Sequence, residues 1–286
     1  MKKKILILLT IILISTGCFK RDKMEDINII TTIYPIEYIT NRLYGENSTI
    51  KNVYPRGANV KEYKFTKKEI RDYSTEDLFI YDGKSNEREI AKELLDKNKQ
   101  LKIIDATYGT DNTYGNVNIW LNPANILMIA QNIRNELENY ITNPYIKEEI
   151  NNQYELLKVD ISELETELKN IADNSIDKRI ISYDESLKFL EKYGYTIINL
   201  TENNELKENN ILLAKDLLAN KKLTTVFNTN TNEKIDIINE LKNNYDATIV
   251  QFNSLETISE EDIKNNEDYL SIIYNNLEKI KQETYK

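Results

Sequence analysis

The chain has 286 residues, of which 40% are hydrophobic and 30% charged, and its formal net charge is -9. This composition is that of a globular protein rather than a disordered one, and the length suits one large domain or two lobes. The acidic balance argues against nucleic acid as a partner, because phosphate binding requires a basic stripe.

The first residues have the pattern of an export signal. Lys2, Lys3 and Lys4 precede an apolar run, residues 5–14, that is too short to span a bilayer, which takes about 20 residues. The following Ser15-Thr16-Gly17-Cys18 resembles the lipobox of bacterial lipoproteins, although Ser15 stands where Leu is usual. This resemblance implies that residues 1–18 contain a signal peptide followed by a diacylated Cys18. The protein would then be anchored to the outer face of the cytoplasmic membrane. An ordinary cleaved signal with an incidental Cys is the alternative.

Residues 19–26 are predicted to form a charged tether, and residues 27–142 an N-terminal lobe of alternating strands and helices. Strands are predicted where apolar residues cluster, at residues 27–30, 50–54, 78–81 and 101–104. Four helices are predicted in this lobe. One ends near residue 44, one begins at the capping box of Thr66 and Glu69, one covers residues 87–95, and one follows Asn122 up to about residue 140. Gly45 is the expected left-handed residue after the first helix.

A long amphipathic helix is predicted over residues 143–175. Apolar residues recur there at spacings of three and four, and no Gly or Pro occurs in residues 145–171. About 27 helical residues span about 40 Å, the width of a small domain. The stripe consists of Ile150, Tyr154, Leu157, Ile161, Leu164, Leu168 and Ile171. We interpret the helix as a link between two lobes, with a coiled-coil dimer seam as the alternative.

Residues 176–286 repeat the alternation of strands and helices and are predicted to form a C-terminal lobe. Strands are predicted at residues 179–181, 196–200, 224–227 and 248–251, and helices at 184–193, 210–220, 233–244 and 269–283. The sequence therefore predicts an α/β fold with two lobes, each a parallel-type sheet flanked by helices, joined by one long central helix. Ligands bind at the carboxyl ends of such strands, so the cleft between the lobes is the expected site.

Four loops carry motifs that the strand and helix pattern places near this cleft. They read YPRGANVKEY from residue 54, NVNIWLNP from residue 116, SYD from residue 182 and FNSL from residue 252. Together with TTIYP from residue 31 and DLFIYDG from residue 77, they resemble the zinc- and manganese-binding solute-binding lipoproteins of bacterial ABC importers. The family patterns at the four loops are P-x-G-x-D-P-H-x-Y, D-P-H-x-W-L-D-P, S-H-D and D-S-L. The resemblance covers the whole chain and implies an ABC permease as partner.

The residues at the family's metal-ligand positions have changed. The three His positions fall on Lys61, Asn118 and Tyr183, and the fourth ligand, an Asp, falls on Asn253, where the short motif gives the loosest alignment. The chain contains no His at all. Zinc sites use imidazole, thiolate and carboxylate ligands, and the Lys ammonium only donates hydrogen bonds. We therefore expect a degenerate site without tightly bound zinc or manganese. The neighbouring residues that could support the site are Glu62, Trp120 and Asp184.

Three interpretations of the cleft remain open. In the first, the four residues at the ligand positions form a pocket of an importer subunit for a small anionic or zwitterionic ligand. In the second, Lys61 pairs with Asp184 or Glu62, which closes the cleft and leaves a surface or interaction lipoprotein without a transport role. In the third, these two carboxylates and the acidic stretch 202–208 bind a hard cation weakly. An enzyme is disfavoured, because the chain lacks a His base, a free Cys nucleophile and a Gly-rich phosphate loop.

Overall fold

The computed structural model describes residues 22–115, 117–229 and 235–286. The predicted signal peptide, the lipidation site at Cys18, the first part of the tether and the start of the helix expected from residue 233 lie outside these ranges. A search of the described helices finds none with the length and apolar character needed to cross a membrane.

The N-terminal lobe is a parallel sheet covered by helices. Its strands are β1 (Ile27–Thr31), β2 (Ser48–Asn52), β3 (Leu78–Tyr81) and β4 (Lys102–Asp105), in the order β2-β1-β3-β4. Its helices are α1 (Tyr34–Tyr44), α2 (Lys67–Tyr73), α3 (Glu87–Lys97) and α4 (Pro123–Tyr140). Strand β3 is buried along its whole length, as its apolar sequence predicts.

The predicted caps form at two of these helices. Thr66 and Glu69 make the capping box of α2, and the side chain of Asn122 accepts a hydrogen bond from the backbone N–H of Ala124 at the start of α4. Gly45 differs from the prediction: its φ is -58°, and it begins a 3-10 helix, Gly45–Asn47, instead of adopting a left-handed conformation. Strand β2 also lies earlier than predicted, because the side chain of Asn52 accepts the N–H of Tyr54 and turns the chain there.

Residues 22–26, which the sequence predicts as part of a tether, pack against the N-terminal lobe. Met24 is completely buried. The Asp22 carboxylate accepts hydrogen bonds from the backbone N–H groups of Thr142 and Asn143, each at 2.6 Å, and from the Thr142 hydroxyl at 2.7 Å. Burial opposes ionisation, but these hydrogen bonds and one from the N–H of Met24 lower the Asp22 pKa to about 2. The chain is therefore fixed beside the start of the central helix.

The central helix, α5 (Pro144–Asn174), has 31 residues and matches the predicted element. The Asn143 side chain caps it by accepting the N–H of Tyr145. The residues of its predicted apolar stripe are all buried, and they belong to one hydrophobic cluster with residues of both lobes, from Met24 to Ile280. The stripe is thus covered by the same chain and does not form the seam of a coiled-coil dimer.

The C-terminal lobe contains a second parallel sheet. It consists of β5 (Arg179–Ser182), β6 (Thr196–Asn199), β9 (Thr225–Asn228) and β10 (Thr248–Gln251), in the order β10-β9-β5-β6, while β7 (Thr201–Glu202) and β8 (Glu205–Leu206) form a hairpin. The helices are α6 (Glu208–Ala219), α7 (Asp236–Tyr245), α8 (Glu260–Lys264) and α9 (Tyr269–Thr284). The helix predicted at 184–193 is a 3-10 helix, Glu185–Tyr193, which ends as expected at a left-handed Gly194 with φ 85°. The predicted fold class, two parallel-sheet lobes joined by a long helix, is confirmed.

The segment that follows β10 crosses to the N-terminal lobe. The backbone N–H of Tyr34 donates to the carbonyl of Glu256 at 3.0 Å, and that of Gly57 donates to the carbonyl of Ile258 at 3.1 Å. The hydroxyl of Tyr269, at the start of α9, donates to the backbone carbonyl of Trp120 at 2.6 Å. The two lobes are therefore joined by direct hydrogen bonds as well as by α5.

Candidate functional site

A cleft of about 570 Å³ lies between the lobes, at the carboxyl ends of β2, β5 and β10. The structure brings together in its lining the four residues that the sequence predicts at the family ligand positions: Lys61, Asn118, Tyr183 and Asn253. Glu62 and Asp184 line it as well. Trp120 does not line the cleft, because its side chain is buried behind it, with 3% of its surface exposed.

An ion pair holds the first loop against helix α1. The guanidinium of Arg56 donates to both carboxylate oxygens of Glu37, each at 2.6 Å, and the side-chain amide of Asn52 donates to Glu37 at 2.9 Å. Bidentate, charge-assisted bonds of this kind fix geometry as well as contribute energy. Lys61, further along the loop, is exposed, and its ammonium makes no ion pair with any residue the structure describes.

The second loop is tied to the opposite lobe. The side-chain amide of Asn118 donates to the backbone carbonyl of Ser254 at 3.3 Å, and the indole N–H of Trp120 donates to the same carbonyl at 2.7 Å. Asn118 is 4% exposed. The amide N–H₂ group of Asn118 therefore has a structural partner. Trp120 stabilises the position of the second loop and does not line the cleft.

In the third loop, Asp184 caps the 3-10 helix that follows it. Its carboxylate accepts hydrogen bonds from the backbone N–H of Ser186 at 2.9 Å and from the Thr229 hydroxyl at 2.6 Å. Burial, with a smaller contribution from the charge of Asp184, raises the pKa of Tyr183, so its phenol is neutral at physiological pH. Asp184 is thus bonded within its own lobe, and its carboxylate makes no ion pair with Lys61 across the cleft.

In the fourth loop, Asn253 has a structural role that the sequence does not reveal. Its backbone N–H donates to the side-chain oxygen of Asn276 at 3.0 Å, and its carbonyl accepts from the side-chain N–H of Asn276 at 2.8 Å. The Asn253 side-chain oxygen accepts the N–H of Leu255 at 2.9 Å. Asn276 is completely buried and supports the loop from α9, far from it in sequence.

Glu256 is a cleft residue that the sequence analysis misses. It lies three residues after Asn253 and is half-buried in the cleft lining. Burial raises the pKa of its carboxyl, the Lys61 ammonium acts in the opposite direction, and the carboxylates of Asp184 and Asp82 add to the increase. Within the described parts of the chain, its carboxylate takes part in no hydrogen bond or ion pair. In the sequence, the signal that could have identified Glu256 is the presence of an acidic residue next to the fourth motif.

A second group of acids lies behind the cleft, at the carboxyl edge of the N-terminal sheet. Burial raises the pKa of Glu87 from 4.5 to about 8, and Glu87 accepts hydrogen bonds from the Asp82 N–H at 2.8 Å and from the Tyr54 hydroxyl at 3.1 Å. Asp82 accepts from the Thr107 hydroxyl at 2.8 Å, and burial raises its pKa too. These carboxyls are bonded to the lobe and stabilise its loops.

The four predicted cleft residues differ in chemistry from the usual ligands of a transition metal. The predicted ligand positions carry an ammonium, two amides and a phenol, whereas zinc is bound by imidazole, thiolate and carboxylate. In residues 22–115, 117–229 and 235–286, no three Cys, Asp or Glu side chains are grouped in a way that could hold a metal ion. Of the acidic stretch 202–208, Glu202 is already paired with Lys188 at 3.4 Å and with Lys207.

Comparison with known proteins places this fold among zinc-uptake proteins. The family model of the zinc-uptake complex component A, periplasmic (ZnuA), matches residues 29–283. The zinc-binding lipoprotein AdcA of Streptococcus pneumoniae serotype 4 is 26% identical over 160 residues, which is 48% of this chain and 32% of AdcA, so the match spans about a third of that relative.

Solved structures share the fold over most of the chain. The Zn(II)-bound ZnuA-like domain of S. pneumoniae AdcA superposes with a TM-score of 0.77 at 22% identity, covering 91% of this chain and 100% of that domain. The laminin-binding protein Lbp of Streptococcus pyogenes superposes with a TM-score of 0.74 at 18% identity, covering 91% of this chain and 99% of Lbp. At these identities, the likeness establishes a common fold and leaves the ligand to be argued from the site.

Proposed function

The chain belongs to the zinc-uptake complex component A family, and from that premise we propose that it is an extracytoplasmic solute-binding lipoprotein of an ABC importer with a degenerate metal site. It would be anchored through Cys18 at the outer face of the cytoplasmic membrane and deliver its solute to a permease. The AdcA relative carries the name of a zinc-binding lipoprotein, and this chain keeps the relatives' fold without their expected ligands.

The observation that carries the proposal is the chemistry of the four cleft residues at the family ligand positions. The Lys61 ammonium has no lone pair for a metal and repels a cation. Asn118 and Asn253 already use side-chain groups to hold the loops, and a neutral Tyr183 phenol is a poor zinc ligand. Stable zinc binding requires several imidazole, thiolate or carboxylate ligands in tetrahedral geometry, and this set supplies none of them.

A solute-binding cleft is favoured over a cleft closed by its own side chains. The alternative, a surface lipoprotein without a transport role, requires Lys61 to pair with Asp184 or Glu62. In the described structure Asp184 bonds to Ser186 and Thr229 instead, and the cleft has a volume of about 570 Å³. This volume lies in the range of small-molecule sites, about 300–1,000 Å³.

Equilibrium dialysis followed by elemental analysis tests the metal-site proposal. The full chain, purified in detergent, is dialysed against buffered zinc at sub-micromolar free concentration, and we expect far less than one zinc per chain. A Cys18→Ser variant is the matched control, since an unacylated Cys18 thiolate would bind metal outside the cleft. Stoichiometric zinc in both proteins would overturn the proposal.

The anchor is tested independently of the ligand. We expect the protein to fractionate with membranes and to stay there after a high-salt wash, because two acyl chains hold a protein stably where electrostatic adsorption does not. The Cys18→Ser variant should lose this membrane association. Membrane association of the variant equal to that of the unchanged protein would contradict lipidation at Cys18.

A further inference from the structure

We propose that the cleft binds a small zwitterion of the chemical class of free amino acids, with Lys61 receiving its carboxylate and Glu256 its ammonium. This inference rests on the proposed function, since it names the class of solute that such a subunit would carry. It replaces the metal of the relatives with an organic ligand that has both charges.

The two residues enter the cleft from different lobes. Lys61 lies on the loop after β2, and Glu256 lies on the loop after β10. Both line the same cavity, yet they do not form an ion pair with each other. The charge of Lys61 nevertheless acts on the Glu256 carboxyl. The two opposite charges therefore belong to the lining of one cavity and come from different lobes.

Both charged groups lack a partner among the described residues. Glu256 is half-buried, and a carboxylate withdrawn from water without a hydrogen-bond donor is costly. By contrast, the Asp184 carboxylate accepts the backbone N–H of Ser186, and the Asp262 carboxylate accepts the backbone N–H and the hydroxyl of Ser259. An ammonium group of a ligand would give Glu256 the partner that the protein does not provide.

The charges in the lining distinguish a zwitterion from a simple anion. Among the described lining residues Lys61 is the basic one, whereas Glu62, Asp184, Glu256 and Asp262 are acidic. An anion would meet Lys61 but also these carboxylates, and a metal cation would meet the Lys61 ammonium without adequate ligands. A molecule with separate ammonium and carboxylate groups satisfies both ends of the cleft through charge-assisted hydrogen bonds.

Titration calorimetry of the full chain in detergent tests this inference. The probes are the standard amino acids, added one at a time, with sodium acetate and methylammonium chloride as probes that carry a single charge. We expect at least one amino acid to bind with a Kd below about 100 μM. Acetate and methylammonium should bind at least about tenfold more weakly, because each engages one of the two charged residues.

Variants identify the residues that carry the binding. Lys61→Ala and Glu256→Gln should each weaken the binding of the amino acid by about tenfold or more. Lys64→Ala and Glu261→Gln are the matched controls, since both residues are exposed and neither lines the cleft; they should change the Kd by less than about twofold. Thermal unfolding of each variant confirms that it folds.

The inference is overturned if no amino acid binds with a Kd below about 100 μM, or if both cleft variants bind as well as the controls. Zinc is measured on the same protein, so the two proposals fail separately. Stoichiometric zinc would contradict the degenerate metal site, whereas absence of both zinc and amino acid binding would remove only the assignment of the solute.

Discussion

The indole N–H of Trp120 and the backbone carbonyl of Ser254 form a 2.7 Å hydrogen bond that connects the two lobes behind the cleft. The carbonyl also accepts the amide of Asn118 at 3.3 Å, and the carbonyl of Trp120 accepts the hydroxyl of Tyr269. The motif that resembles a metal-binding loop in the sequence therefore provides hydrogen bonds between the two lobes.

Trp120→Phe should lower the free energy of unfolding by about 1–2 kcal/mol. It removes one hydrogen bond and part of the buried ring, while the Ser254 carbonyl keeps the Asn118 amide as a donor. Urea unfolding followed by circular dichroism measures the loss. Tyr145→Phe, at a side chain that is 72% exposed, is the control and should change stability by less than about 0.5 kcal/mol. Equal stability of the two variants would show that this bond contributes nothing.

Combined Lys61→His, Asn118→His and Tyr183→His substitutions should create zinc binding in the cleft. Three imidazoles with water in the fourth position form a known zinc arrangement, and the three residues already line one cavity. We expect a Kd below about 1 μM, measured by competition with a chelating dye. Lys61→His alone supplies one imidazole and should bind at least about a hundredfold more weakly. Failure of the triple variant, if it folds, would show that these side chains do not converge.

The buried carboxyl of Glu87 should make stability fall as pH rises. Its pKa in the folded protein, about 8, lies above the ordinary value of 4.5, so folding takes up a proton between these values. The stabilising contribution is fully present below about pH 4.5 and is lost through about pH 8, with a slope of up to about 1.4 kcal/mol per pH unit. Glu87→Gln should reduce this slope when unfolding is measured from pH 5 to 8.

The comparison for this pH series is Glu89→Gln, because Glu89 is on the same helix but exposed. It should leave the slope unchanged. Burial also raises the pKa of Asp82, so a shallower slope of the same sign should persist in Glu87→Gln. A slope that is identical in the unchanged protein and in Glu87→Gln would mean that Glu87 is ionised in the fold.

Two adjacent leucines of α5 should differ sharply in their importance. Leu157 is completely buried in the core shared by the lobes, whereas Leu156 is 56% exposed. Leu157→Ala should cost about 2–5 kcal/mol of unfolding free energy, since it removes buried methyl groups and leaves a cavity. Leu156→Ala should change stability by less than about 0.5 kcal/mol. Similar losses in both variants would contradict the burial of the stripe.

The elements of this fold follow from local sequence patterns. The period of the apolar stripe predicts α5 within a residue at each end, and the apolar run of β3 and the caps Thr66 and Asn122 appear as expected. The four predicted residues, one from each loop, line the cleft, and for the loops after β2, β5 and β10 the physical reason is that parallel strands bring their carboxyl ends to one edge. The 3-10 helix after Asp184 was predicted only as helix, since i+3 and i+4 bonding share the same polar and apolar pattern.

Side-chain partners distant in sequence could not be predicted. Asn276 supports Asn253 from α9, and nothing local to either residue indicates that pairing. The pKa of Glu256 depends on burial by other segments and on the Lys61 charge across the cleft. Gly45 has a right-handed conformation because a 3-10 turn continues the helix, which the residue type alone does not specify.

The shared core also determines when this chain can finish folding. Met24 near the start of the described chain and Ile280 in the last helix belong to the same apolar cluster. A chain is synthesised from its N-terminal end, so the N-terminal lobe keeps apolar surface uncovered until α9 has followed it. Completion of the native state is therefore a late step of folding, and a chain truncated before Tyr269 would leave the shared core incomplete.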